Sequence, residues 1–149
     1  MVWETMTGRK KESVYSIQIL MLSSSRTVKL SESDIQGQGT FVMSNSGKDD
    51  NIKMEIREAG SVIKKLASNF NNTIDLLHVN CEGCEWEMFE NIIKHNLQAN
   101  IRIIQIGAHY FDQVDNIAAR YCKIRKTLNK THKMVYGEPW AWERWDRRV

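Results

Sequence analysis

Long apolar runs are what this sequence most lacks. The longest, Ile17 to Leu22 and Ile101 to Ile106, are interrupted by polar residues and fall far short of the ~20 needed to cross a bilayer. That argues against a membrane-spanning helix. The start carries no address either. After Met1 the stretch "VWETMTGRKKE" has neither the apolar centre of a signal peptide nor the acid-poor character of a transit peptide. The cytoplasm is then the default compartment, unless the chain begins inside a longer one. Charge is nearly balanced, 21 basic against 18 acidic residues, and it forms no obvious cluster of the kind a phosphate-binding face needs, so nucleic acid is not an expected partner. Cysteine is scarce: the three present cannot all pair, and Cys81 and Cys84 lie too close to close a large loop, which argues against a secreted disulfide scaffold. There is one proline, Pro139, and there is no repeat or low-complexity tract. What remains is a length and composition suited to a single soluble domain spanning residues 1–149.

Two halves differ in character. Up to about Gly60, short strand-like pieces ("SVYSIQILML", "RTVKL", "TFVM") alternate with the polar loops "SESDIQGQG" and "SNSGKDDN", the pattern of hairpins or edge strands. From Ser61 onward, helical and strand periodicities alternate. Val62, Ile63, Leu66 and Phe70 suit one helical face, ended by "NFNNT"; "TIDLLHV" is a short strand; Trp86, Phe89, Ile92 and Ile93 recur at helical spacing. "IRIIQIG" is a second buried strand. Val114, Ile117, Ala118, Tyr121, Ile124 and Leu128 form another helical stripe, and Pro139 sits at a turn between two final strands. Such alternation predicts an open α/β sheet with helices on both faces.

The turn in "IDLLHVNCEGCEWEMFENI" concentrates the chemistry. A redox C-x-x-C needs a helix start to lower the pKa of its first thiol, and Cys81 is so placed. Glu82 and Glu85, however, flank the pair and oppose a thiolate. Zinc could draw on His78, Cys81, Cys84 and His95, but no second spaced pair follows, and strand alternation sends His78 and Cys81 to opposite faces. Small buried residues that let strand and helix approach closely are the plainer reading, preferred for Cys84. Asn80 stands at the carboxyl end of the strand, where an open α/β sheet binds its ligands, and Glu82 projects with it toward that space. Ordinary capping and the helix dipole account for the same residue types equally well.

The same stretch resembles the I-D-L-L-K-I-D-x-E-G-x-E motif of FkbM-type methyltransferases, an animal branch above all. The flanking "IKMEIREAGSVIKKL", "IRIIQIGAHYF" and aromatic tail "PWAWERW" extend the likeness over about the last two-thirds of the chain. The resemblance implies a Rossmann-like methyltransferase fold that uses S-adenosylmethionine and methylates a hydroxyl of a small-molecule or carbohydrate acceptor. It also implies departures. The family lysine is His78 here, its aspartate Asn80 and the glutamate of its E-x-H is Gly107, while Glu82, Gly83, Glu85 and His109 remain. Carboxylate base catalysis or metal binding at the two lost acids is thereby put in question, whereas positioning by Asn80 survives.

Such a fold holds its cofactor at a glycine-rich first βα turn. No such loop stands in this sequence; Gly37 and Gly39 in "QGQGTFV" read as a turn. The expectation is therefore an incomplete fold, lacking the N-terminal cofactor-binding strand and loop, with the edge of the motif strand exposed. His109 is the candidate base, with Asn80 and Glu82 positioning an acceptor, and Glu85, His78 and Trp140 complete the acceptor-binding candidates. Trp140 and Trp142 are expected on one strand face, against a helix. Arg120, Lys123, Arg125, Lys126 and Lys130 give the last long helix a basic side. That side and the aromatic tail support the alternative of a non-catalytic interaction domain.

Overall fold

The computed structural model describes residues 21–22, 24–30, 52–112 and 114–149. The strand expected at "TFVM" and the glycines Gly37 and Gly39 lie outside them. A small three-stranded sheet joins β1 (Met21–Leu22), β2 (Arg26–Leu30) and β3 (Ile52–Glu58) in the order β1-β3-β2, with β1 parallel and β2 antiparallel to β3. A second sheet holds β4 (Ile74–Val79), β5 (Ile101–Gly107), β6 (His132–Gly137) and β7 (Trp142–Arg147) in the order β4-β5-β7-β6. β4 and β5 run parallel, and the closing β6–β7 hairpin, with Pro139 in its turn, adds β7 antiparallel to β5. Among the described residues, β4 pairs with β5 alone, and its outer edge carries no strand.

Between the strands run α1 (Ala59–Ser68), α2 (Glu85–Lys94), a short 3-10 turn at Leu97–Asn100, and α3 (Ile117–Thr131). Each starts and stops for local reasons. Glu58 caps α1 by accepting the Ser61 N–H at 2.8 Å, satisfying one orphan donor of the first turn. Beyond Ser68, Asn71 and Asn72 adopt φ of 52° and 57°, a left-handed turn that asparagine tolerates better than most residues. Phe70 therefore falls outside the helix and is exposed.

The helices pack on one face of the second sheet. Leu77 and Val79 of β4, Ile104 and Ile106 of β5 and Trp145 of β7 meet Trp86, Phe89 and Ile92 of α2 and Ile117, Tyr121, Ile124 and Leu128 of α3. Burial of this apolar set is the main force holding the layer together. Polar clamps add direction: Arg120 grips Glu90 across α3 and α2 with two 2.8 Å bonds, a bidentate geometry. The buried Asn91 Oδ1 accepts the Gly60 N–H at 2.7 Å, and a Cβ on Gly60 would stand 2.8 Å from that oxygen, so α1 and α2 approach closely only because residue 60 is glycine.

The expectation of helices on both faces is not met among the described residues. The far face carries Leu76, His78, Lys133 and Tyr136 exposed, with Gln105, Arg144 and Asp146 partly so. A mixed sheet ending in an antiparallel hairpin tolerates such a one-sided arrangement, which an all-parallel sheet does not.

Candidate functional site

Two strand ends build one rim. β4 stops at Val79, and Asn80 to Cys84 turn the chain into α2 through two left-handed residues, Glu82 at φ 52° and Gly83 at φ 110°. Glycine adopts that conformation freely, whereas for glutamate it is uncommon and costs energy. Cys81 and Cys84 close this turn as a disulfide, their Cα atoms 5.4 Å apart. The reading of both cysteines as separate packing residues is thus corrected: Cys84 is buried as expected, but it is bonded to a partly exposed Cys81. Cys84 offers no side-chain cap to α2. Glu85, the first residue of the helix, folds back instead and accepts the Gly83 N–H at 2.8 Å.

β5 ends at Gly107. Its continuation is tied to the hairpin turn by the Ala108 N–H donated to the Ala141 carbonyl at 2.7 Å, and His109 then drops onto Glu85. Glu85 Oε1 accepts the His109 backbone N–H at 3.0 Å and lies 3.0 Å from the ring Nδ1. On the other side of the ring, Nε2 is 3.1 Å from Glu82 Oε1. Phe111 stacks against the imidazole, centroids 6.0 Å apart. Glu85 is fully buried, and a buried carboxylate is tolerable only if its charge is compensated. Here two backbone N–H groups, an imidazole and the start of a helix do so.

Asn80 joins the same rim. A Cβ built on Gly107 would stand 2.7 Å from Asn80 Oδ1 and 3.2 Å from His109 Cε1, so both side chains close over the bare α-carbon of Gly107. The structure brings Asn80, Glu82 and His109 together, all at least partly exposed. The other sequence candidates go elsewhere. Glu85 lies beneath the rim with no face turned to a guest. His78 is on the open sheet face, 3.1 Å from Gln105 Oε1 through Nδ1 and stacked on Trp142 at 5.4 Å.

Trp140 and Trp142 do not share a strand face. Trp140 occupies the hairpin turn at φ 59° and packs on Tyr121, Tyr110 and Trp86 at 4.4, 5.0 and 6.1 Å. Trp142 begins β7 and points to the opposite side. The four ligands considered for zinc are likewise dispersed, with His95 near Glu58, and no group of metal-binding side chains occurs among the described residues.

A second buried acid lies on β7. Glu143 accepts from the Trp145 indole N–H at 2.7 Å and from the Tyr121 hydroxyl, with the Arg125 Nε at 3.4 Å. Burial, and after it Glu143, push the Tyr121 hydroxyl up to about 12. Sequence reasoning missed Phe111, the disulfide and Glu143, and it took Glu85 as an acceptor-binding residue rather than as the buried partner of His109. The aromatics that follow His109 in "HYF" were the available signal for the first.

At the start of α1 and in the turn into α2, three backbone N–H groups that a nucleotide cofactor could take are already held within the chain. Backbone N–H groups at a helix start are what such a group takes. The Gly60 N–H is held by Asn91 and the Ser61 N–H by Glu58, while the Gly83 N–H at the α2 turn is held by Glu85. A family model described as a methyltransferase domain matches residues 30–137, well over half of the chain. No curated protein and no solved structure matches it.

Proposed function

We propose, from the premise that this chain belongs to the methyltransferase domain family, that the Asn80–Glu82–His109 rim receives a hydroxyl of a small-molecule or carbohydrate acceptor and that His109 removes its proton. The family generally uses S-adenosylmethionine. The proposal concerns the acceptor side alone. An FkbM-like, Rossmann-type arrangement is part of the same reading, supported by the parallel β4–β5 pair and by helices packed behind it.

One observation carries the reading, the 3.0 Å contact of His109 Nδ1 with the fully buried Glu85. A carboxylate only accepts, so Nδ1 donates to Glu85; Nε2, 3.1 Å from Glu82 Oε1, becomes the lone-pair nitrogen of the rim only when an acceptor hydroxyl takes the place of that carboxylate. Carboxylate, imidazole and hydroxyl in that order are the general-base logic of hydrolytic triads. The second bond from Glu85, to the His109 backbone, fixes the ring's root as well as its tautomer. In the proposal an entering hydroxyl displaces Glu82 from Nε2 and donates to that nitrogen, while Glu82 and Asn80 take its neighbouring hydroxyls, which is positioning rather than proton transfer. Phe111, stacked on the imidazole, borders the same place, and its flat face suits the apolar face of a sugar.

The test is methyl transfer from labelled S-adenosylmethionine to a panel of sugars and small alcohols, comparing the native protein with His109→Gln. The expected loss is on the order of 10² to 10⁴ in turnover. Full activity in His109→Gln would remove the base. Absence of both turnover and calorimetric S-adenosylmethionine binding in the native protein would leave the interaction-domain reading in its place.

A further inference from the structure

Proton transfer at the rim makes no use of the disulfide that closes it. We propose that Cys81–Cys84 is a reversible thiol–disulfide modification site, through which a small-molecule thiol of the glutathione class sets the geometry of the Glu82–His109–Glu85 cluster. The proposal goes beyond the acceptor reading and does not require methyl transfer.

Access comes first. Cys81 is partly exposed and Cys84 is buried, so an incoming thiolate reaches the Cys81 sulfur. Its attack forms a mixed disulfide at Cys81, breaks the Cys81–Cys84 bond and leaves the electron pair on Cys84, which takes up a proton. A second thiol attacks the mixed disulfide and departs as the oxidised small-molecule disulfide, leaving Cys81 as a thiol. Protein disulfide and two thiols become protein dithiol and one disulfide, and the reverse reaction restores the bridge. The flanking carboxylates of Glu82 and Glu85 oppose a thiolate on the protein. With less thiolate formed, the reduced pair attacks other disulfides slowly.

Coupling to the site follows from what the bridge encloses. Between the two cysteines stand only Glu82 and Gly83, both left-handed at φ 52° and 110°. Glu82 presents its carboxylate to His109 Nε2, and Gly83 donates to Glu85 Oε2. A non-glycine residue persists in this conformation only when its surroundings over-determine it, and the bridge is the covalent part of that restraint. Cys81 Sγ also lies 3.5 Å from Glu85 Oε2. As a disulfide sulfur it has no proton; as a thiol it donates one to the oxygen that already receives the Gly83 N–H. Reduction therefore relaxes Glu82 and loads Glu85 in the same event, on the two carboxylates that hold the His109 ring.

The experiment treats the folded protein with millimolar reduced glutathione, quenches with acid, and alkylates in denaturant for mass analysis. The exposed thiol of Cys122 is labelled throughout and serves as the internal control; Cys81 and Cys84 are labelled only after glutathione. In parallel, the His109 imidazole resonances shift on reduction and return with oxidised glutathione. The double variant C81S/C84S shows the reduced-state signal whatever the thiol present. If that variant does not fold, native-protein reduction alone decides. A bridge that survives glutathione in the folded protein, or His109 resonances that superimpose in both redox states, overturns the proposal. Neither readout needs a methyl donor, so it fails separately from the acceptor reading.

Discussion

Two glutamates among the described residues are buried almost completely, and their surroundings differ in kind. Glu143 sits between sheet and helix with Tyr121, Trp145 and Arg125 as donors, and no residue of its own strand is strained. Glu85 is held by the turn that contains Glu82 and Gly83, both left-handed, and by a histidine that remains open to solvent. Glu143 satisfies donors already in the core; Glu85 carries its influence outward to a side chain that can meet a guest. Burial of charge alone does not mark a working site. A buried charge connected to a strained, solvent-reaching group is the better mark.

The largest effect should come from Glu143→Ala. It strands a tyrosine hydroxyl and an indole N–H in the core and leaves Arg125 without its carboxylate, the kind of loss that costs about 3 to 5 kcal/mol. Chemical denaturation should show that drop with little change in acceptor binding. In the milder Glu143→Gln, ultraviolet titration should find the Tyr121 hydroxyl below about 12, because the acid's share of the upward push is gone while burial remains. A stability loss under about 1 kcal/mol for Glu143→Ala would erase the distinction between the two acids.

Glu85→Gln keeps the shape and weakens bonds made to a charge, so a smaller destabilisation of about 1 to 3 kcal/mol is expected. Function should suffer more than stability. With an amide facing Nδ1 the tautomer is no longer fixed, and turnover should fall on the order of 10²-fold or more while the melting transition stays cooperative. Equal activity with lower stability would place Glu85 beside Glu143 as a purely structural acid.

Much of the frame around these two acids was readable from periodicity. "IRIIQIG" is β5 to the residue, Ile117, Tyr121, Ile124 and Leu128 of the expected stripe are buried in α3 while Ala118 is exposed, and Pro139 does stand in the closing hairpin turn. What failed to show was environment. An acid in a first helical turn looks the same whether it faces water or accepts three bonds beneath a histidine, since the partners, Gly83 and His109, come from different elements. The spacing C-x-x-C allows thiols, metal ligands or a bridge, and only coordinates distinguish them. Trp140 was assigned to a strand face because alternation with Trp142 was assumed to begin one turn too early. Glu143 and Trp145, two apart on β7, did share a face in the sequence, and that clue to a paired buried acid went unread.

A smaller and pH-dependent effect tests the hairpin side of the comparison. His132 is buried, its Nε2 2.9 Å from the Ile101 carbonyl, which can only accept. Burial, partly offset by that bond, holds its pKa below the ordinary 6.5. Above about pH 6.5 the ring is neutral folded or unfolded and contributes no slope. As pH falls through 6.5 the unfolded chain takes up the proton first, so stability declines until the folded-state pKa is also passed. Melting temperatures between pH 7.5 and 5 should therefore fall in the native protein and less steeply in His132→Gln. The depressed carboxyls of Glu58 and Asp146 act in the same direction but below their ordinary values of 4.5 and 3.8, outside that window.

The smallest stability change should come from a residue held in an uncommon left-handed conformation. Glu82 is half-exposed, with 47% of its side chain accessible, and its pair with His109 is of the surface kind that contributes at most about 1 kcal/mol. Its φ of 52° costs a similar amount, which asparagine, more at ease in the left-handed region, largely avoids. Glu82→Asn should accordingly leave stability within about 0.5 kcal/mol of the native protein, or raise it slightly, while removing the carboxylate that faces His109. If acceptor affinity falls and stability does not, the glutamate is retained in a strained position for what it binds rather than for what it holds together. If the substitution instead destabilises by more than about 1 kcal/mol, the turn needs Glu82 for folding, and the rim resembles the sealed Glu143 cluster more closely than its exposure suggests.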